Sequence, residues 1–140
     1  MGTWGVSPFE SDSAQDFLDG LADISAGQRE EAVRRMLSYP VNDAASLMRD
    51  VVPEEVMAAA ALVALGLPGG AELPWRDDEA STAALSESSS AALAGMALRA
   101  VDVVVAPDGW WWRGWVSEDD RVQAGELVSQ LRSALGESSA

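Results

Sequence analysis

The chain has no cysteine and no histidine among its 140 residues. Without cysteine there is no disulfide, no thiolate nucleophile and no thiolate metal site. Without histidine the commonest general base and metal ligand is missing, which leaves carboxylates as the main groups for acid–base work. Lysine is absent too: all nine basic residues are arginine, set against 23 Asp and Glu. The net charge of -14 opposes a phosphate backbone, since nucleic-acid binding rests on cations that neutralise phosphates, and it disfavours anionic membrane surfaces in the same way. No basic region followed by an apolar run opens the sequence. The most apolar run, Val56 to Leu67, is too short to cross a bilayer. These exclusions point to a cytoplasmic protein that is not an enzyme, holds no cofactor and binds neither nucleic acid nor membrane. They do not fix its oligomeric state.

What remains is globular material. Hydrophobic residues make up 48% and charged residues 23% of the chain, a composition that buries a core rather than one that stays disordered. The length suits a single domain over residues 1–140. The spacing throughout is helical, so the expected fold is all-α: a compact bundle of five to six helices preceded by an ordered arm over residues 1–11. Trp4 and Phe9 give that arm apolar surface to bury, and Gly5 and Pro8 punctuate it.

Ser11, Asp12 or Ser13 caps the first helix, in which Ala14, Phe17, Leu18 and Leu21 fall at i, i+3, i+4 and i+7. Asp12, Asp16, Asp19 and Asp23 fall at i, i+4, i+7 and i+11 and form an acidic ridge on the opposite side. The first two gain from the positive end of the helix, whereas Asp19 and Asp23 sit at the wrong end with no compensation visible in the sequence. Ser25 to Gln28 reads as a capping box for a second helix that ends before Pro40. Val33, Met36 and Leu37 are its buried side, with Glu30–Arg34 and Glu31–Arg35 as i,i+4 pairs. Asn42 or Asp43 is a candidate cap for a short helix through Leu47 and Met48. Pro53 starts the next helix, Glu54 and Glu55 fill its first turn, and Gly66 lies just past its end. Val56 to Leu65 is apolar on every side, so this helix is expected at the centre of the bundle.

The longest irregular connection runs from Leu67 to Ala80, and Asp77, Asp78 and Glu79 within it are three adjacent carboxylates, read first as solvated charges and only second as oxygen ligands for a hard cation. The serine-rich segment Ser86 to Ser90 caps a further helix whose stripe is Leu93, Met96, Ala97, Ala100, Val101 and Val104, and Pro107-Asp108-Gly109 stops it. The run Trp110-Trp111-Trp112-Arg113-Gly114-Trp115 cannot enter one core whole, because successive helical positions are about 100° apart. Trp111 and Trp115 are the expected buried pair, leaving Trp110 or Trp112 partly exposed to pack on the N-terminal arm, which is the first reading, to cover a loop, to stack on Arg113 or to meet a partner. Ser117 with Asp120 opens a last helix, with Ala124, Leu127, Val128, Leu131, Ala134 and Leu135 as its core. Gly136 ends it, and residues 137–140 fray.

The opening Gly2-Thr3-Trp4-Gly5, with Pro8-Phe9, Asp12, Ala14 and Asp16-Phe17, resembles the start of the DUF4259 family, small bacterial proteins with no assigned function. The likeness extends through the helices to the Leu98 to Asp108 region and the terminal helix. Ser7 stands where that family usually has glycine, and Ser11 where asparagine commonly precedes the aspartate. The resemblance implies a small, mostly helical domain and carries over no catalytic residue. Three functions follow as expectations. The leading one is a non-catalytic acidic binder of a basic protein, inhibitor- or immunity-like, using Asp12, Asp16, Asp19, Asp23, Trp110 and Trp112. The others are a divalent-metal enzyme built on Asp12 and Asp16 or on Asp77 to Glu79, and a module that self-associates through exposed tryptophans.

Overall fold

The computed structural model describes residues 12–43, 53–67, 87–105 and 118–139. Among them the chain forms five helices and no strand: α1 (Asp12–Ala22), α2 (Ala26–Asn42), α3 (Pro53–Leu65), α4 (Glu87–Val104) and α5 (Glu118–Ser139). The N-terminal arm with Trp4 and Phe9, the short helix at Leu47 and Met48, the carboxylates Asp77 to Glu79 and the whole tryptophan run all lie outside the described residues.

The helix α3 sets the architecture. Every residue from Val56 to Ala64 is fully buried, and α3 packs against each of α1, α2, α4 and α5. A helix that is apolar all round has no face that gains from water, so it sits where neighbours surround it. Its run Ala58 to Ala61 lets those neighbours approach closely. Pro53 opens α3, where its missing N–H costs nothing. The helix closes as the N–H groups of Gly66 and Leu67 turn back to the carbonyls of Val63 and Ala64, at 3.2 and 3.1 Å.

Each outer helix brings an apolar stripe to this centre. Ala14, Leu18 and Leu21 of α1, Val33 and Leu37 of α2, and Leu93, Ala94, Ala97, Ala100, Val101 and Val104 of α4 are buried. So are Ala124, Leu127, Val128, Leu131 and Leu135 of α5, and together they form one continuous core. Arg99 and Asp102 stay on the exposed side of α4. Val103 and Val104 are helical, and Val105 closes the last turn through a 2.9 Å bond from its N–H to the Val101 carbonyl.

The helix α1 starts at Asp12 and stops at Ala22, so Asp12 and Ser13 are helical rather than caps, the third candidate Ser11 lies outside the described residues, and Asp23 occupies the turn beyond. Two later boundaries differ from what the sequence predicts. The helix α2 does not end before Pro40 but runs through it to Asn42. Pro40 removes one N–H near the end of the helix, yet it is buried, and the ladder resumes beyond it with the Asp43 N–H donating to the Tyr39 carbonyl at 3.0 Å. Packing of the last turn therefore outweighs the lost bond. Asp43, with extended backbone (φ -155°, ψ 103°), closes α2; the short helix expected to follow it lies outside the described residues. At the other end of the chain, α5 continues through Gly136 to Ser139. A glycine stop works by adopting a left-handed backbone, and Gly136 has no positive φ.

Candidate partner-binding surface

The acidic face is built by α1 and the turn that follows it. Burial of Ala14, Leu18 and Leu21 fixes the rotation of the helix, and Asp16, Asp19 and Asp23 are exposed on the other side. Asp16 and Asp19, three residues apart, share one side of α1, and Asp23 lies in the turn just beyond its end. None of these three carboxylates makes an ion pair or a side-chain hydrogen bond among the described residues. Asp12 begins the helix, and its side chain lies outside the described residues, as do Trp110 and Trp112. Of the six sequence-nominated positions, the structure brings Asp16, Asp19 and Asp23 together.

The compensation that the sequence did not reveal comes from the next helix. α2 is opened by Ser25, whose Oγ accepts from the Gln28 N–H at 3.3 Å, while the Ser25 N–H donates to Gln28 Oε1 at 3.1 Å. This capping box turns the first turn of α2 back toward the end of α1. From there Arg29 donates through Nε to the Leu21 carbonyl at 2.7 Å and through Nη2 to the Ala22 carbonyl at 3.3 Å. Two carbonyls that a helix end leaves without intrahelical partners thereby accept from a cation at the negative pole of α1, the Leu21 carbonyl also accepting from the Ile24 N–H at 3.3 Å. Arginine's fork suits this double contact. Unlike Arg34, which pairs with a carboxylate, Arg29 clamps backbone.

A family model described as a domain of unknown function, DUF4259, matches residues 2–126. The chain belongs to the DUF4259 family. The matched span holds the acidic face, the Arg29 clamp, the central helix and the first part of α5. No curated protein and no solved structure is significantly similar to this DUF4259 chain.

Two further polar contacts tie outer helices together. Glu30 on α2 accepts a short hydrogen bond from Ser89 Oγ on α4 and pairs with Arg34 at 3.2 Å. Both contacts favour the charged carboxylate, so they hold the Glu30 pKa below its ordinary value, the Ser89 hydrogen bond contributing most. The Glu30–Arg34 spacing was visible in the sequence, but Ser89 lies too far along the chain for that. No pair forms between Glu31 and Arg35 among the described residues. On the far side, Arg132 Nε of α5 lies 3.1 Å from Asp102 Oδ1 of α4, both side chains being about half exposed.

Among the described residues no group of three or more carboxylates is placed to hold a metal ion. Asp16 and Asp19 on α1 and Asp23 in the turn beyond it are therefore not such a group; oxygen ligation of Ca²⁺ or Mg²⁺ needs several carboxylates converging on one point. No described helix is long and apolar enough to cross a membrane.

Proposed function

We propose that this DUF4259 protein is a non-catalytic binding protein of the bacterial cytoplasm. In this reading it presents the acidic face of α1 to a basic protein partner and acts by covering the partner's functional surface. One observation carries the reading. Asp16, Asp19 and Asp23 are exposed and unpaired among the described residues, on an element that its core stripe and Arg29 hold in place. Like charges in a row cost the helix a few tenths of a kcal/mol per pair, and no ion pair among the described residues offsets that for these three. A row of unpaired carboxylates raises the encounter rate with a cationic surface and fixes the register of docking.

The corresponding experiment is stopped-flow association with the captured partner across a salt series. The association rate should fall steeply as ionic strength rises, and Asp16→Lys with Asp19→Lys should slow it while leaving the fold unchanged. A rate indifferent to both salt and charge reversal would reject the proposal.

A further inference from the structure

An open groove of about 350 Å³ lies between the C-terminal end of α4 and the middle of α5, lined by Val105, Gly125, Val128, Ser129 and Arg132. Its chemistry is the opposite of the acidic face. Among the described lining residues two valines supply apolar wall, a serine supplies a hydroxyl, and the charged group is a cation.

That cation is held in a particular way. Arg132 uses Nε on Asp102 at 3.1 Å and has no other partner among the described residues. A guanidinium carries five N–H donors in a planar fork. Asp102 engages one edge of it and steadies the side chain, which leaves the donors of the two terminal nitrogens for another acceptor. A planar, two-oxygen acceptor matches that geometry best.

Gly125 is the second observation. Glycine inside a helix is unfavourable, and close packing is the usual reason to keep one. Here an added Cβ would meet nothing within 4 Å. Gly20, Gly27 and Gly136 are equally open, but Gly125 is the one among them that lines the groove. The space its missing side chain leaves is part of the cavity.

From this we infer a binding site for a small monocarboxylate with a short apolar tail. The carboxylate would be held by the terminal nitrogens of Arg132 and by Ser129 Oγ, with the tail against Val105 and Val128. The volume sits at the lower end of the roughly 300–1,000 Å³ typical of ligand pockets, which favours a short chain over a fatty acid of full length. The site is independent of the acidic face and does not rest on the proposed partner.

The test is an NMR titration of ¹⁵N-labelled protein with hexanoate, using 1-hexanol as the uncharged probe of equal length. Saturable shifts of the Val105, Gly125, Val128 and Ser129 amides are expected, with a Kd of roughly 1–10 mM. Arg132→Gln should weaken binding by at least about tenfold, because a surface ion pair contributes little to the fold and its loss leaves the groove intact. Gly125→Leu, which has room for its side chain, should fill the groove and abolish binding with the helical circular dichroism retained; should it fail to fold, Arg132→Gln carries the decision. No saturable shift up to about 50 mM, equal binding of 1-hexanol, or shifts unaffected by Arg132→Gln would overturn the assignment. Tighter binding of a peptide with a free apolar C-terminus would also overturn it, in favour of a protein tail.

Discussion

Arg29→Met is the perturbation that most sharply probes how α1 is held. Methionine keeps much of the apolar stem and removes the guanidinium, so the Leu21 and Ala22 carbonyls lose donors at 2.7 and 3.3 Å. A hydrogen bond to a charged group contributes about 1.5–3 kcal/mol. Here the shorter bond is only partly buried and the longer one is exposed, so the lower end applies and water replaces part of the loss. A cation at a helix C-terminus adds about 0.3–1 kcal/mol. The expected cost is therefore about 1–2 kcal/mol, a sizeable share of the roughly 5–15 kcal/mol by which a domain is stable. With a urea m-value of about 2 kcal/mol/M, the midpoint should fall by roughly 0.5–1 M at unchanged m. Arg29→Lys should recover only the charge part, because an ammonium cannot reproduce the planar fork. Adding Asp23→Asn to Arg29→Met should restore a few tenths of a kcal/mol by removing a negative charge from a negative helix end. A midpoint for Arg29→Met within about 0.3 kcal/mol of the wild type, measured by the same urea titration, would refute the reasoning.

Leu62→Ala removes a fully buried side chain from the helix that every other described helix touches, and should cost about 2–5 kcal/mol in urea unfolding. Glu30 titrates below its ordinary pKa of 4.5 because Ser89 and Arg34 stabilise its charged form. Its contribution is therefore present above about pH 4.5 and is lost as pH falls through the lower folded-state value. Urea midpoints taken between neutral and acid pH should decline less steeply for Glu30→Gln than for the wild type, and parallel curves would contradict this. Charge reversal of Asp16, Asp19 and Asp23 together should leave stability within about 0.5 kcal/mol, as for other exposed positions without partners, checked by the same midpoint.

What the sequence discloses and what it hides divide along one line. Signals that act within a few residues were readable: the stripe Ala14, Leu18, Leu21, the Ser25–Gln28 box, Pro53 at a helix start and the all-round apolar run of α3. The failures came where distant packing overrides a local rule. Pro40 reads as a stop because it breaks a backbone bond, but its burial keeps the last turn of α2 helical. Gly136 reads as a stop because glycine adopts left-handed backbone easily, yet nothing forces it to. The acidic face was legible as a spacing for Asp16 and Asp19, which are exposed on α1; Asp23 is exposed too, but in the turn beyond the helix rather than on it. The Arg29 clamp was not, because a side chain that caps carbonyls eight and seven residues earlier leaves no periodic trace. The nearest hint was the three-residue connection from Asp23 to Ser25, short enough to bring α2's first turn back to α1.

The central claim, that the acidic face of α1 binds a basic partner, is tested most directly by affinity capture from the native cell with three baits: wild type, the reversal of Asp16, Asp19 and Asp23 to lysine, and a control reversal of Glu118, Asp119 and Glu126. The control residues are exposed on α5 and change the net charge equally, so the two variants differ in place and not in charge. A basic protein captured in stoichiometric amount by the wild type and the control, released by high salt and missed by the α1 reversal, is the predicted result. Equal capture by both reversed baits, or capture that high salt does not disturb, would contradict it.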